Sequence, residues 1–217
     1  MATTTFSENS AMSDASPETT VSEAEIAYRI GNSLYLNITN RCSNRCTFCP
    51  KFADLSLKGH NLGLASEPTP AEVLLAVGEP EGLDEIVFCG FGEPLLRVDA
   101  VVHIARELKQ RGYRIRINTD GQADLVHDRS VVTELVGLVD CISVSLNAAD
   151  ATTYQRICNS PYGEAGFDGV CTFIAEAVRQ IPHVVVSAVT VPGVDIDACR
   201  ALALKLGAEF RVREYQE

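Results

Sequence analysis

The chain has 217 residues, 46% of them hydrophobic, no tryptophan and a formal net charge of −11. This length suits one domain with a proper core, and the acidic balance argues against a nucleic-acid backbone as main partner, because phosphate binding needs clustered Lys and Arg. Eight cysteines are too dispersed for a small disulfide scaffold, and without an apolar run of about 18 residues no membrane span is expected.

In chain order, residues 2–24 are rich in Ser, Thr, Glu and Ala and contain no Arg or Lys. They match neither a secretory signal nor a transit peptide, so residues 1–25 are expected to be a disordered tail, with Met12 an alternative start. With no export signal, the reducing cytoplasm is the expected compartment. Residues 26–217 read as one domain. Ile26 to Ile30 leads into a strand at Ser33–Thr39, which alternates apolar and polar. Residues 51–67 lack periodicity and read as a long loop, of the kind that is usually functional or mobile. Thr69 caps a helix with Pro70 in its first turn.

A second strand spans Asp84 to Gly90, and its outgoing loop is Gly90-Phe91-Gly92-Glu93-Pro94. An amphipathic helix covers 97–111, and a third strand Tyr113–Asn118 runs into a turn at Asn118–Gly121. A short helix at Val131–Val139 precedes a fourth strand, Cys141–Leu146, followed by Asn147. Helices near 150–158 and 166–180, a fifth strand His183–Val191, a helix Asp195–Leu206 and a sixth strand Ala208–Arg213 complete the chain. Six strand–helix alternations predict right-handed βαβ units around a parallel sheet. Six strands are too few for a closed eight-stranded barrel. The expected fold is therefore α/β, a partial, open β/α barrel, with ligands beyond the strands' C-terminal ends.

The densest chemistry lies in the loop after the first strand, where Cys42, Cys46 and Cys49 fall in a C-x3-C-x2-C pattern. Thiolates grouped this tightly outside a secretory context are more often metal ligands than disulfide partners. On a helix the outer two would be separated by about 10 Å along the axis, at ~1.5 Å per residue. Three thiolates cannot then meet on one small centre, and the Asn, Ser and Thr between them favour turns. A loop wrapped around a centre is expected. Three protein ligands leave an open position, and an iron–sulfur cluster normally takes four cysteines, so the pattern suggests a cluster with one iron free. The alternative is a zinc loop closed by His60 or Cys89.

Cys42-x3-Cys46-x-Phe48-Cys49 resembles the signature of the radical S-adenosylmethionine (radical SAM) superfamily. The flanking Ser33–Cys42 and Thr47–Phe52 resemble more closely the small radical SAM proteins associated with TatD-type nucleases. The resemblance implies an enzyme whose 4Fe-4S cluster reductively cleaves S-adenosylmethionine to a 5′-deoxyadenosyl radical, which abstracts hydrogen from a substrate the sequence does not name. It also implies an external flavodoxin- or ferredoxin-type reductant. By the same resemblance, the free iron takes the amino and carboxylate groups of S-adenosylmethionine, and the Phe48 backbone lies near its adenine. The Gly90–Pro94 loop resembles the superfamily's Gly-Gly-Glu loop, with Phe91 where the first glycine is common. Gly90 and Gly92 would let the backbone approach a ligand, and Glu93 would pair with its ammonium group. A plain strand-to-helix turn with a solvated Glu is the alternative.

Ser145 and Asn147 are implied as ribose or carboxylate contacts, or simply as a strand end with a cap, and Asn118 is a similar strand-end residue. Val189 and Val191 are placed against adenine, or in the core. Arg211 and Arg213 point to one face of the sixth strand, where they would hold a carboxylate or phosphate, or else edge a solvated sheet. The remaining cysteines read as buried small apolar residues, and His103, His127 and His183 as structural. A non-catalytic zinc- or iron–sulfur-binding module, or an electron carrier, stands beside the enzyme.

Overall fold

Strand-forming segments recur here at βαβ spacing, and in the computed structural model, which describes Met1 and residues 24–215, they assemble into one seven-stranded sheet in the order β1-β2-β5-β6-β7-β8-β9. The expected tail falls almost wholly outside the described residues. β1 is Ala27–Ile30 and β2 Ser33–Leu36. A small hairpin follows, of β3 (Ser56–Leu57) and β4 (His60–Asn61). Then come α1 (Pro70–Val77), β5 (Glu85–Phe88), α2 (Val98–Gln110), β6 (Ile115–Thr119), α3 (Ala123–His127) and α4 (Val132–Leu135). The chain closes with β7 (Cys141–Ser145), α5 (Ala151–Cys158), α6 (Ala165–Gln180), β8 (His183–Val189), α7 (Ile196–Lys205) and β9 (Glu209–Arg213).

The six strands from β2 to β9 in this sheet run parallel, as expected, and no closed barrel forms. β1 is an addition: it pairs antiparallel with β2 through a two-residue turn in which Gly31 holds φ +60°, a position that favours glycine at the first central residue. The aperiodic 51–67 stretch hides the β3–β4 hairpin, whose Lys58-Gly59 turn has positive φ at both residues. α3 was not expected either, and the helix predicted at Val131–Val139 shrinks to the single turn α4. The capped helices match their signals. Thr69 accepts from the Glu72 amide and Glu72 reaches back to the Thr69 amide, a capping box at α1. Asp150 and Asp195 cap α5 and α7 more simply, each accepting one amide, of Thr153 and of Ala198.

The sheet has two unlike faces. Leu36, Phe88, Ile117, Ile142 and Val186 point to one side, each 0% exposed, where they share a core with Val101, Ile104, Leu108, Phe173 and Ile174 of α2 and α6. Each such side chain contributes about 1.5–3 kcal/mol by leaving water. The alternate positions are mostly polar and lie outside that core: Tyr35, Glu85, Arg116, Asn118, Ser143, Ser187 and Arg211. Arg116 binds Glu85 at 2.7 Å, and Ser33 donates to Glu85 at 3.1 Å. Apart from Tyr35, which packs on the small cluster of Tyr28, Leu62 and Phe91, these positions form the polar floor of an open trough among the described residues.

Candidate functional site

The C-terminal ends of the parallel strands carry the loops singled out in the sequence, and hydrogen bonds draw several of them together. After β2, Thr39 and Arg41 are tied to Glu67: the Thr39 hydroxyl donates at 2.6 Å and the Arg41 Nε at 2.7 Å. The cysteine loop then crosses the end of α5. Arg45 N donates to Cys158 O and Thr47 N to Ile157 O, so the loop satisfies carbonyls that a helix C-terminus leaves without intrahelical partners.

A buried polar network fixes the loop from within. Gln122 Nε2 donates to Asn44 Oδ1 at 2.7 Å and to the Tyr154 hydroxyl at 2.6 Å, Asn44 Nδ2 donates to the same hydroxyl, and Ser160 Oγ donates to Gln122 Oε1. All four residues are buried. A buried network is stabilising only when its members are satisfied, and here the amides and hydroxyls saturate one another.

The Gly90–Pro94 loop is packed under the cysteine loop. A Cβ on Gly92 would stand 2.3 Å from Thr39 O and 2.4 Å from Arg41 O, and one on Gly90 would meet Asn37 Oδ1 at 2.3 Å. Both glycines therefore allow close approach to the chain itself, Gly92 to backbone carbonyls and Gly90 to the Asn37 side chain. Phe91, where a glycine is common, fills a second small apolar cluster with Tyr28 and Leu62.

Glu93 is 3% exposed and accepts from Leu95 N (2.9 Å), the Thr119 hydroxyl (2.9 Å) and Asp120 N (2.6 Å). It was expected to await a ligand's ammonium group, but it joins the β5 and β6 loops. Oε2 accepts from the Asp120 amide, while Oε1 takes the other two. Burial, then the neighbouring Asp120, pushes the Glu93 carboxyl well above the usual range. Asp120, raised by burial as well, accepts from the Ser43 hydroxyl at 2.5 Å and lies 3.9 Å from Cys42 Sγ. A chain of contacts thus runs from Cys42 through Asp120 to Glu93.

Cys42, Cys46 and Cys49 are free, half-buried thiols on one loop. They do not converge as they stand. Cys42 faces Asp120, the Cys46 thiol hydrogen-bonds that of Cys158, and Cys49 lies by Lys51. Among the described residues no three His, Cys, Asp or Glu side chains form a ready metal cage. The thiol acidities follow these surroundings. Burial raises Cys42 and Cys49, and the Cys158 contact, then burial, raises Cys46.

The donor chemistry still fits a centre that takes three protein thiolates. None is locked in a disulfide, and the residues expected to close a zinc loop are engaged elsewhere. His60 Nδ1 sits 2.9 Å from Glu25 with its ring against Tyr28, and Cys89 hydrogen-bonds Asn118. Bound metal would have to displace the thiol protons, as all thiolate sites require.

The other expected residues divide. Asn147 is buried at φ +59°, with Nδ2 near Cys158 Sγ at 3.9 Å and Oδ1 without a partner. Ser145 is half-buried on the trough face, paired in register with Ser187. Asn118 accepts from Arg116 Nη1 at 2.7 Å. Val189 and Val191 pack in the main core, and Phe48 packs against it. Asn44, Asp120, Gln122, Tyr154 and Ser160 were not foreseen as site residues. The available signal was polar residues beside the cysteine motif and in the Asn118–Gly121 turn, but nothing in spacing links them to Tyr154.

A sequence model of the Radical SAM superfamily matches residues 36–206. The GTP 3',8-cyclase of Corynebacterium glutamicum (strain R) is 31% identical over 201 residues, covering 86% of this chain and 49% of that protein. A probable GTP 3',8-cyclase of Methanothermobacter thermautotrophicus is 32% identical over 143 residues, covering 65% and 44%. The chain spans about half the length of the curated relatives it matches. Streptococcus suis SuiB bound to precursor peptide SuiA has a similar fold, with a TM-score of 0.65 at 16% identity over 86% of this chain and 40% of that one. So does TYW1 with a lysine-pyruvate adduct bound, at 0.59 and 14% identity over 86% and 65%.

Proposed function

From the premise that this chain belongs to the radical SAM superfamily, whose enzymes use a 4Fe-4S cluster, S-adenosylmethionine and an external reductant, we propose that Cys42, Cys46 and Cys49 hold the cluster and that the mouth of the trough holds S-adenosylmethionine. When bound, the two groups supply a 5′-deoxyadenosyl radical for hydrogen abstraction. The observation that carries the proposal is the set of three free thiols on a loop clamped to α5 and to the Gly90–Pro94 loop.

The chain's own residues position and shield the site. Asn44, Gln122 and Tyr154 hold the cysteine loop from inside, while Gly90 and Gly92 let the next loop sit against it. Glu93 holds the β6 loop and offers Oε2 to a ligand ammonium group. Asn147 Oδ1, buried without a partner, offers an acceptor for a ribose hydroxyl or the ligand's ammonium group. Ser145 and Asn118 stand on the same trough, and in this reading the Phe48 backbone lies near the adenine, with Val191 in the core behind it.

GTP is the first substrate to test, since the two curated relatives are named GTP 3',8-cyclases. The resemblance of Ser33–Phe52 to the TatD-associated proteins names a TatD-type nuclease as a partner to test. Residues 26–217 form the catalytic domain in this proposal, working in the cytoplasm with a flavodoxin- or ferredoxin-type donor. No described helix is long and apolar enough to cross a membrane.

The test is anaerobic reconstitution with iron and sulfide, followed by an assay for 5′-deoxyadenosine with dithionite and S-adenosylmethionine. The wild-type chain is expected to form it, with and without GTP compared. Cys46→Ala is expected to lower formation at least a hundredfold and to lose the iron–sulfur absorbance. A colourless, iron-free, zinc-loaded protein would overturn the proposal. A cluster-loaded chain forming no 5′-deoxyadenosine would favour an electron carrier.

A further inference from the structure

Two arginines stand on the trough with no ion-pair partner among the described residues. Arg211 and Arg213 are two apart on β9, so both side chains project to one face. The register sets Arg211 beside Ser187 and Arg213 beside Val189. Among the described residues neither guanidinium joins an ion pair. Arg211 has one long contact, 3.5 Å to the Ser143 hydroxyl, and Arg213 Nε is buried without a partner. The Ser187 hydroxyl between them and the neighbouring strand is also buried and unpartnered.

Arg116, on the same face, shows what a structural arginine receives here: three bonds to Glu85 and one to Asn118. This chain has 29 acidic residues against 18 basic ones, so acids are available where the fold needs them. Adjacent, partly desolvated cations with spare donors are unfavourable unless something else satisfies them. Burial holds the Arg213 guanidinium below its ordinary range, and the charge of Arg211 adds to that.

We propose that Arg211, Arg213 and the Ser187 hydroxyl bind an oxyanion of the substrate, a phosphate or a carboxylate. The planar forks suit two-pronged recognition of such a group. This assignment rests on the reading of the neighbouring mouth as the cofactor site, and it makes the substrate an anion anchored on β9 below that mouth.

The full chain, reconstituted with its cluster, is titrated calorimetrically under anaerobic conditions at constant ionic strength. The probes are inorganic pyrophosphate, succinate and, separately, S-adenosylmethionine. Saturable binding of pyrophosphate or succinate is expected, the tighter probe naming the group. Arg213→Gln and Arg211→Gln should each weaken that probe at least tenfold, Arg213→Lys should recover part of the loss, and S-adenosylmethionine should bind within about twofold of wild type. Arg211 is exposed, so its variant keeps the test intact if Arg213→Gln fails to fold. A chain that takes up no iron yet binds pyrophosphate through the pair would support this assignment while removing the cofactor reading. No saturable binding of either probe, or binding that both glutamine variants leave unchanged, would overturn it. So would a tenfold loss confined to S-adenosylmethionine, which would give the pair to the cofactor's carboxylate.

Discussion

The two sides of the trough's rim differ in how completely their polar atoms are satisfied. On the side of β2, β5 and β6, Asn44, Gln122 and Tyr154 bond one another, Glu93 bonds Thr119, and Gly92 packs on backbone, with Asn37 Oδ1 the exception that has no partner among the described residues. On the side of β7, β8 and β9, three such atoms gather: Asn147 Oδ1, Ser187 Oγ and Arg213 Nε are buried with no partner among the described residues. A satisfied network fixes position. An unsatisfied buried atom is costly and calls for a ligand or water. The first side therefore reads as the frame that holds the cysteine loop, and the second as the surface that meets small molecules.

Substitutions can break this contrast. Gly92→Ala should cost most, about 3 kcal/mol, because its Cβ meets two backbone carbonyls that cannot swing aside. The melting temperature should fall by roughly 6–12 °C. Tyr154→Phe removes the hydroxyl shared by Asn44 and Gln122 and should cost about 2 kcal/mol, read by urea unfolding. Iron retention after gel filtration should fall with it, which a purely structural tyrosine elsewhere in the core would not cause.

Glu85 sharpens the picture on the trough floor. Burial works to raise its carboxyl, but the Arg116 guanidinium outweighs that and holds it below the usual range. The unfolded chain then binds the proton first as pH falls, so the pair's contribution, about 1.5 kcal/mol, is complete above the ordinary glutamate pKa and is lost below it. Wild-type stability should fall between about pH 5 and 3 more steeply than that of Glu85→Gln, measured by denaturant midpoints across pH. Ser187→Ala should change least, staying within about 0.5 kcal/mol of wild type in the ligand-free chain, since its hydroxyl satisfies nothing there. A loss of 2 kcal/mol would erase the distinction between the two sides.

Much of the frame was legible beforehand. Thr69, Asp150 and Asp195 announce their helices through caps that act within three residues. The alternation in Tyr113–Asn118 and His183–Val191 gives strands, and the cysteine spacing gives the loop. Less legible were β1 and the β3–β4 hairpin. Each depends on a turn whose sign is set by one or two positive-φ residues, Gly31 in one and Lys58-Gly59 in the other. Val189 and Val191 were ambiguous because an adenine-facing valine and a core valine look alike until neighbours are known. Glu93 was visible as a rim carboxylate, but its three protein donors were not.

What the sequence determined by itself is chemistry carried by near neighbours: the capped helices, the parallel βαβ order and three thiols on one loop. Tertiary structure decided which distant groups meet. Tyr154 reaches Asn44 across 110 residues, Asp120 comes to Cys42 across 78, and Arg213 meets no acid among the described residues. Caps and periodicity are set by bonds spanning a turn or two, whereas these encounters depend on how successive strands register and how the helices tilt them, which no short stretch encodes.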